Sequence, residues 1–192
     1  MNEVVIYPLS DLHLGNRNFD DVKLKRWIED FEKCKKEKII YCLGDMLDSS
    51  VVYNNSYEKE KKRLDEILNK LKPYIRKYVK GNNDYFIEKN GLKIYNNKPT
   101  YSFKDSLDIN NRIFNVYGIH TMNKFIMKSD IKDRLDEYDK DVDIYLQGHY
   151  HFGHYINDNG KYYIFNSCFL KNTDNLFKII IDSKHNVTVD EI

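Results

Sequence analysis

The first half of the chain alternates short apolar segments with longer amphipathic ones, and this alternation restricts the fold more than any other feature. Residues 3–9, 38–43 and 74–79 are apolar runs of strand length. Between them, residues 20–37 and 57–71 carry apolar side chains at helical spacing. Strands that alternate with helices are typical of βαβ units with a parallel sheet. The first half therefore predicts a βαβαβ unit.

The second half is predicted to be mostly sheet. The strands lie near 99–104, 111–118, 142–147, 153–157, 161–166, 175–182 and 186–190, and one helix fills about 129–139. Two segments rich in turn residues, 158–160 and 183–186, predict hairpin connections. So many strands bury their apolar residues best as two packed sheets with helices outside. We therefore predict an α/β fold in one domain, residues 1–192.

Composition excludes several classes of protein. Lys and Arg number 31 and Asp and Glu 30, which argues against a DNA-coating protein and an acidic disordered chain. No apolar run approaches the roughly 20 residues of a membrane span, and the first residues do not resemble a signal peptide. The 3 cysteines are scattered, so we expect reduced thiols acting as core filler in a cytoplasmic protein. Alanine is absent, which favours an AT-rich genome and explains the abundant tyrosines.

Polar side chains follow five of the predicted strands. They are Asp11 and His13 after the first strand, Asp45 after the second, Asn82, Asn83 and Asp84 after the third, His120 after 111–118, and His149 and His151 after 142–147. In open α/β sheets, ligands bind beyond the carboxyl ends of the strands. In an extended segment, the Asp-x-His and His-x-His pairs would place both side chains on one face. We therefore expect these groups to meet at one edge.

These side chains are metal ligands by type. Imidazoles and carboxylates without cysteine suit manganese, iron, nickel or zinc. Their number exceeds the need of one ion. Two ions about 3.5–4 Å apart that share a carboxylate form a site suited to in-line displacement at phosphorus.

The order of the motifs resembles the calcineurin-like metallophosphoesterase family. D-x-H, G-D, G-N-x-D, H and G-H-x-H follow one another between Asp11 and His151, most of the chain. The resemblance implies a four-layer α-β-β-α sandwich and hydrolysis of phosphate esters by a hydroxide held between two divalent ions, with manganese favoured. It implies that Asp11, His13, Asp45 and His151 hold one ion, and that Asp45, Asn82, His120 and His149 hold the other. Asp45, Asn82, His120 and Asn83 would then be the catalytic residues.

Asn83 departs from the family pattern, which commonly has G-N-H-D or G-N-H-E. Asparagine donates a hydrogen bond but transfers no proton near neutral pH. The resemblance then favours a phosphodiesterase acting on a nucleotide-type or other small diester. A metal-binding interaction scaffold without turnover and a nuclease on DNA or RNA remain alternatives, and the sequence predicts no oligomeric state.

Residues near the motifs have both a functional and a structural interpretation. Asn16, Arg17 and Asn83 are candidate substrate contacts, although a loop arginine is as often solvated. Asp84 either orients an imidazole of the Asp11–His13 loop or caps a helix from Tyr85.

Four further features carry weaker signals. His154 is either a strand residue or a substrate contact, and His185 is expected to be solvated in a hairpin. The loop Ser49–Ser56, which includes Tyr53, is a candidate wall of the substrate groove. The basic runs 33–38 and 59–63 predict solvated helix faces, because acidic residues interrupt them.

Overall fold

The computed structural model describes residues 2–95, 99–120 and 141–192. The strands are β1 (Val4–Leu9), β2 (Glu37–Cys42), β3 (Ile75–Tyr78), β4 (Ser102–Ile109), β5 (Arg112–Ile119), β6 (Ile144–Gln147), β7 (His154–Asp158), β8 (Lys161–Phe165), β9 (Phe177–Ile181) and β10 (Val187–Glu191). The helices are α1 (Asp21–Lys33), α2 (Tyr57–Leu71) and α3 (Asn82–Lys89), with 3₁₀ turns at Ser49–Val52 and Lys72–Tyr74.

The strands form two mixed sheets. The first has the order β10-β9-β1-β2-β3 and the second β4-β5-β6-β8-β7. Strands β1, β2 and β3 are parallel, as the predicted βαβαβ unit requires. Strand β9 pairs antiparallel with β1, so the end of the chain returns to the first sheet. In the second sheet β5, β6 and β8 are parallel to one another.

Three apolar layers separate the elements, as in a four-layer α-β-β-α sandwich. Alternate residues of β1 face opposite sides: Val5 and Tyr7 pack with Trp27 of α1, whereas Val4 and Ile6 pack between the sheets. The third layer lies on the outer face of the second sheet. Because both faces of β1 are buried, its sequence is an uninterrupted apolar run rather than an alternating one.

Most predicted elements are present with shifted ends. Helix α1 begins after Asp20, whose side chain accepts hydrogen bonds from Val22 N and Lys23 N, and it ends at Lys33 because the backbone of Cys34 is extended. Strand β3 begins only at Ile75, because Pro73 lies in the preceding 3₁₀ turn.

Strands β4 and β5 were predicted near 99–104 and 111–118, and the structure pairs them as an antiparallel hairpin. Its first strand continues to Ile109, and its turn is formed by Asn110 and Asn111, whose φ angles of 49° and 68° suit a tight hairpin. The predicted strand ended too early, because the polar Asp105 occupies an inward position of β4 and interrupts the alternation of apolar and polar residues. Asp105 lies on the same face of β4 as the buried Phe103 and Leu107, and it accepts a hydrogen bond from Tyr41 Oη at 2.6 Å.

Other expectations have mixed outcomes. The predicted turn at Asn159 and Gly160 is present, with φ angles of 52° and 84°. His185 was expected to be solvated, but its Nε2 donates to Ile109 O at 3.1 Å and joins the two hairpins. The helix predicted at 129–139 lies outside the described residues. Among the helices that the structure describes, none combines the length and apolar character of a membrane span.

Candidate metal centre

The ends of β1, β2, β5 and β6 and the start of α3 bring all seven candidate ligands together. Three of them, Asp11, His13 and His151, form one group whose ligand atoms lie within 4.8 Å of one another. His13 Nε2 and His151 Nε2 are 2.9 Å apart, and His151 Nε2 lies 3.3 Å from Asp11 Oδ1. Two imidazoles and one carboxylate thus converge on one point.

A second group contains Asp45, His120 and His149. His120 Nε2 lies 3.5 Å from Asp45 Oδ2. Asn82 joins this group through Oδ1, which is 3.1 Å from His120 Nε2 and 2.8 Å from His149 Nδ1. The His120 ring is oriented by a hydrogen bond on the side away from the cluster, where its Nδ1 donates to Leu43 O at 2.6 Å. This contact fixes the tautomer and leaves Nε2 for a ligand.

Asp45 lies between the two groups. Its Oδ2 atom is 3.5 Å from His120 Nε2 in the second group and 3.8 Å from His13 Nε2 in the first. The donor set fits two divalent ions, because one nearly buried carboxylate oxygen faces imidazole nitrogens on both sides.

Five candidate ligands have left-handed backbone conformations. They are Asp11, His13, Asp45, His149 and His151, with φ angles between 49° and 86°. The expectation of extended Asp-x-His and His-x-His segments is therefore wrong. The chain turns sharply at each strand end. Asp11 and His13 still enter one group, and His149 and His151 enter different groups, as the resemblance implied. Such conformations are uncommon outside glycine and concentrate at functional sites.

Two glycines make room for the cluster. A Cβ atom at Gly81 would lie 2.0 Å from Asp45 Oδ1, and one at Gly148 would lie 2.9 Å from Asp11 Oδ2. Any larger residue at Gly81 would displace the carboxylate between the two groups.

Asn83 and Asp84 both act on the Asp45 segment. Asn83 Nδ2 donates to Asp45 Oδ2 at 2.6 Å. Asp84 accepts hydrogen bonds from Asp45 N, Met46 N and Gly81 N. It therefore orients the loop that carries Asp45 and caps α3, which begins at Asn82 instead of Tyr85. The alternative contact with an imidazole of the Asp11–His13 loop is wrong.

Sequence reasoning missed Asp48. Its Oδ2 lies 3.3 Å from His13 Nδ1 and accepts a hydrogen bond from Asn16 Nδ2 at 2.7 Å. A carboxylate on Nδ1 leaves Nε2 of His13 free to face the cluster. The sequence shows that Asp48 follows Asp45 by three residues in the same strand-exit loop, but it does not show that this loop meets His13.

The other candidate residues lie at the margin. The Asn16 side chain contacts Asp48, and its backbone N donates to His13 O at 3.0 Å. Arg17 is exposed on the same loop. His154 is exposed at the start of β7, with its ring stacked on Phe165. Cys168, expected to be core filler, is buried but also shares a hydrogen bond with His151.

Charge pairing dominates the electrostatics of the cluster. Burial disfavours a charged imidazole, but hydrogen bonds with Asp11 and Asp48 outweigh it and raise the pKa of His13 to about 10. Asp45 likewise overcomes burial and raises the pKa of His120 to about 9. Burial and the nearby His120 lower the pKa of His149. Without metal, the raised pKa values of His13 and His120 therefore favour their protonated forms, and these protons lie where a metal cation would bind.

Comparison with known proteins gives a consistent result. Residues 5–167 match the family described as calcineurin-like phosphoesterase. A single-residue mutant of Vps29 from Entamoeba histolytica is 14% identical over 98% of each chain, with a TM-score of 0.60. A conserved protein from Streptococcus pneumoniae, described as a predicted phosphoesterase, is 16% identical over 100% of this chain and 98% of its own, with a TM-score of 0.55.

A third solved structure, a novel archaeal phosphodiesterase, is 16% identical over 98% of this chain and 99% of its own, with a TM-score of 0.54. At these identities the three structures share the fold with this chain. No curated protein shows significant sequence similarity to it.

Proposed function

The chain belongs to the calcineurin-like phosphoesterase family of metal-binding hydrolases, and we propose that it is a phosphodiesterase with a dinuclear metal centre. The observation that carries this proposal is the position of Asp45 Oδ2 between two groups of nitrogen and oxygen ligands. One carboxylate oxygen in that position can neutralise charge in both groups at once. A single-ion site needs no such shared ligand.

We assign the first ion to Asp11, His13, Asp45 and His151, and the second to Asp45, Asn82, His120 and His149, with manganese favoured over iron, nickel or zinc. Two such ions would lower the pKa of a bound water and neutralise charge that develops on the phosphate oxygens. Leu43 O accepts a hydrogen bond from His120 Nδ1 and fixes its tautomer, and Asp48 Oδ2 lies 3.3 Å from His13 Nδ1. These contacts hold the ligands in place before any ion arrives, which reduces the reorganisation that binding requires.

We base the preference for diesters on the resemblance to family branches in which the G-N-H-D histidine is replaced, as it is by Asn83 here. The amide nitrogen of Asn83 lies on Asp45 Oδ2, so the side chain can donate a hydrogen bond to the site but cannot protonate a leaving oxygen. Esters whose leaving group needs no proton are favoured. Arg17, exposed beside Asn16, is our candidate for a contact with the phosphate.

An assay of the purified chain with bis(p-nitrophenyl) phosphate and added Mn²⁺ tests this function. We expect turnover that chelation abolishes and metal restores, with close to two ions bound per chain. Because ions bind only the folded site, chelation should also lower the melting temperature. Full activity after chelation would contradict the metal requirement. A single bound ion at full activity would contradict the dinuclear centre.

A metal-binding scaffold without turnover is the second candidate. Asn83 favours it, and several similar solved structures are Vps29, a protein named for vacuolar protein sorting. Two bound ions without hydrolysis of any phosphate ester would establish this alternative. A single domain over residues 1–192 and a cytoplasmic location remain predictions.

A further inference from the structure

An exposed tyrosine lies close to the candidate metal centre. Tyr53 is 75% exposed, more than any other large apolar side chain in the described ranges. It ends the 3₁₀ turn Ser49–Val52, which begins directly after Asp48. We propose that the substrate of this centre carries a nucleobase and that the base stacks on Tyr53. This inference rests on the proposed phosphodiesterase function and names its substrate class.

The turn Ser49–Val52, which leads to Tyr53, is held beside the cluster from two sides. Ser49 N donates to Asn83 Oδ1 at 3.0 Å, which ties the turn to the start of α3. On the other side, a Cβ atom at Gly15 would lie 2.4 Å from Val51 Cγ1, so the turn packs closely on the loop that carries Asn16. The backbone that leads to Tyr53 is therefore fixed relative to the candidate ligands.

Phe86 supports the tyrosine ring. The two ring centroids are 5.9 Å apart and the planes are inclined by 42°. Phe86 follows Asn82 by four residues of α3, which is one turn or about 6 Å along the helix axis. Phe86 is therefore about one helical turn from the candidate ligand Asn82, and the Tyr53 ring contacts Phe86. The proposed substrate would place its phosphate at the ligands and its base on this aromatic pair.

Stacking on a base accounts for both the position and the exposure of the ring. Every nucleobase has an apolar face, and aromatic side chains beside phosphate sites bind such faces without selecting one base. A tyrosine needed only for the core would be buried, as Tyr41 and Tyr145 are.

Charge favours a small nucleotide over a nucleic-acid strand. The basic runs contain lysines that pair with acidic residues: Lys36 with Glu3, Lys59 with Glu60 and Lys61 with Asp65. With a net charge of +1, the chain lacks the basic excess that typifies binding along a phosphate backbone.

Two diesters with the same leaving group test the proposal: the p-nitrophenyl ester of thymidine 5′-phosphate and methyl p-nitrophenyl phosphate. We expect Tyr53→Ala to lower kcat/KM for the thymidine ester about tenfold or more and for the methyl ester less than twofold. Tyr53→Phe should retain the preference. Ile113→Ala is the control: it truncates a 61% exposed side chain at the end of β5 that is far from His120. It should change kcat/KM for neither ester. Equal losses on both esters would overturn the proposal.

A binding measurement separates this inference from the proposed function. Titration of the metal-loaded chain with adenosine monophosphate and with inorganic phosphate needs no turnover. We expect Tyr53→Ala to weaken binding of the nucleotide and not of phosphate. If the chain shows no turnover but Tyr53→Ala still weakens nucleotide binding selectively, the phosphodiesterase function is refuted and the stacking of a base on Tyr53 is retained. If the native chain and Tyr53→Ala bind adenosine monophosphate with equal affinity, only the stacking of a base on Tyr53 is refuted. Faster cleavage of a long oligonucleotide than of the thymidine ester would overturn the choice of a small substrate.

Discussion

Asn83 and Asp45 form a two-point contact at the middle of the cluster. The side-chain Nδ2 of Asn83 donates to Asp45 Oδ2 at 2.6 Å, and its backbone N donates to Oδ1 at 2.8 Å. Ser49 N completes the arrangement by donating to Asn83 Oδ1. The amide is therefore oriented from both ends. Its nitrogen faces the carboxylate that we assign to both ions.

Replacement of Asn83 by histidine tests the assigned lack of a proton donor. In the native chain, the rate should depend strongly on the acidity of the leaving group, so aryl diesters should react much faster than alkyl ones. A general acid typically contributes about 10²–10⁴-fold, so Asn83→His should help alkyl leaving groups more than aryl ones. The measurement is kcat/KM across a series of leaving groups in both forms. Equal slopes against leaving-group pKa would show that Asn83 does not occupy the position of a missing acid.

Asp45→Asn should remove both ions, because the variant loses the carboxylate oxygen that faces an imidazole of each group. We expect metal content well below one ion per chain and a loss of activity of at least about 100-fold. Removal of a residue that only orients a ligand typically costs about 10–100-fold. Metal analysis after gel filtration and a diesterase assay measure both. Asp65→Asn on α2 removes a carboxylate of the same type away from the site and should retain both properties. Full occupancy and rate in Asp45→Asn would refute the shared-ligand assignment.

Asp48→Asn should weaken metal binding without removing a ligand. The contact of Asp48 with His13 Nδ1 fixes the ring that holds the first ion, and loss of such a partner typically costs about 10–100-fold in metal affinity. Calorimetric titration should show one weakened site and one unchanged site. Uniform weakening of both would instead indicate that the whole loop had moved. An unchanged titration would exclude a positioning role for Asp48.

The metal-free chain should become less stable as the pH rises above neutrality. The folded-state pKa values of His13, His120 and His151 are raised to about 10, 9 and 9, above the ordinary value of about 6.5. Their stabilising contribution is complete below pH 6.5 and disappears as the pH rises through 9 to 10. We expect the melting temperature without metal to fall across that interval, and the fall to be smaller with bound metal.

The same protonation predicts that metal uptake releases protons. Below pH 9, an ion must displace protons from these imidazoles, so the apparent affinity should increase between pH 6 and 9. Calorimetry in two buffers of different ionisation enthalpy counts the protons. Uptake without proton release at pH 7 would show that the free imidazoles are neutral there.

The first half of the fold was predictable because it depends on local signals. Strand β1 is buried on both faces and is therefore continuously apolar, and the second half of α2 carries apolar residues at helical spacing from Leu64 to Leu71. Strand β4 was less visible. One of its polar residues, Asp105, is satisfied by Tyr41, which is distant in sequence, and no local pattern reports such a partner.

The candidate site was predictable by residue type but not by conformation. Asp11, His13 and Asp45 could be identified because polar side chains directly follow apolar strands. Their left-handed backbone could not, because nothing in the residue order distinguishes an extended exit from a sharp turn. The contact of Asp48 with His13 also depends on how two loops meet, which the spacing of each loop alone does not determine.

The left-handed backbone at five candidate ligands links metal supply to the abundance of folded protein. Each such conformation in a residue other than glycine costs on the order of 1 kcal/mol, and native domains are stable by only about 5–15 kcal/mol. Bound ions offset this cost, and chelated or metal-starved chains would carry it uncompensated. We therefore expect the steady-state level of this chain in a cell to follow the available divalent metal, since small losses of stability expose a protein to degradation.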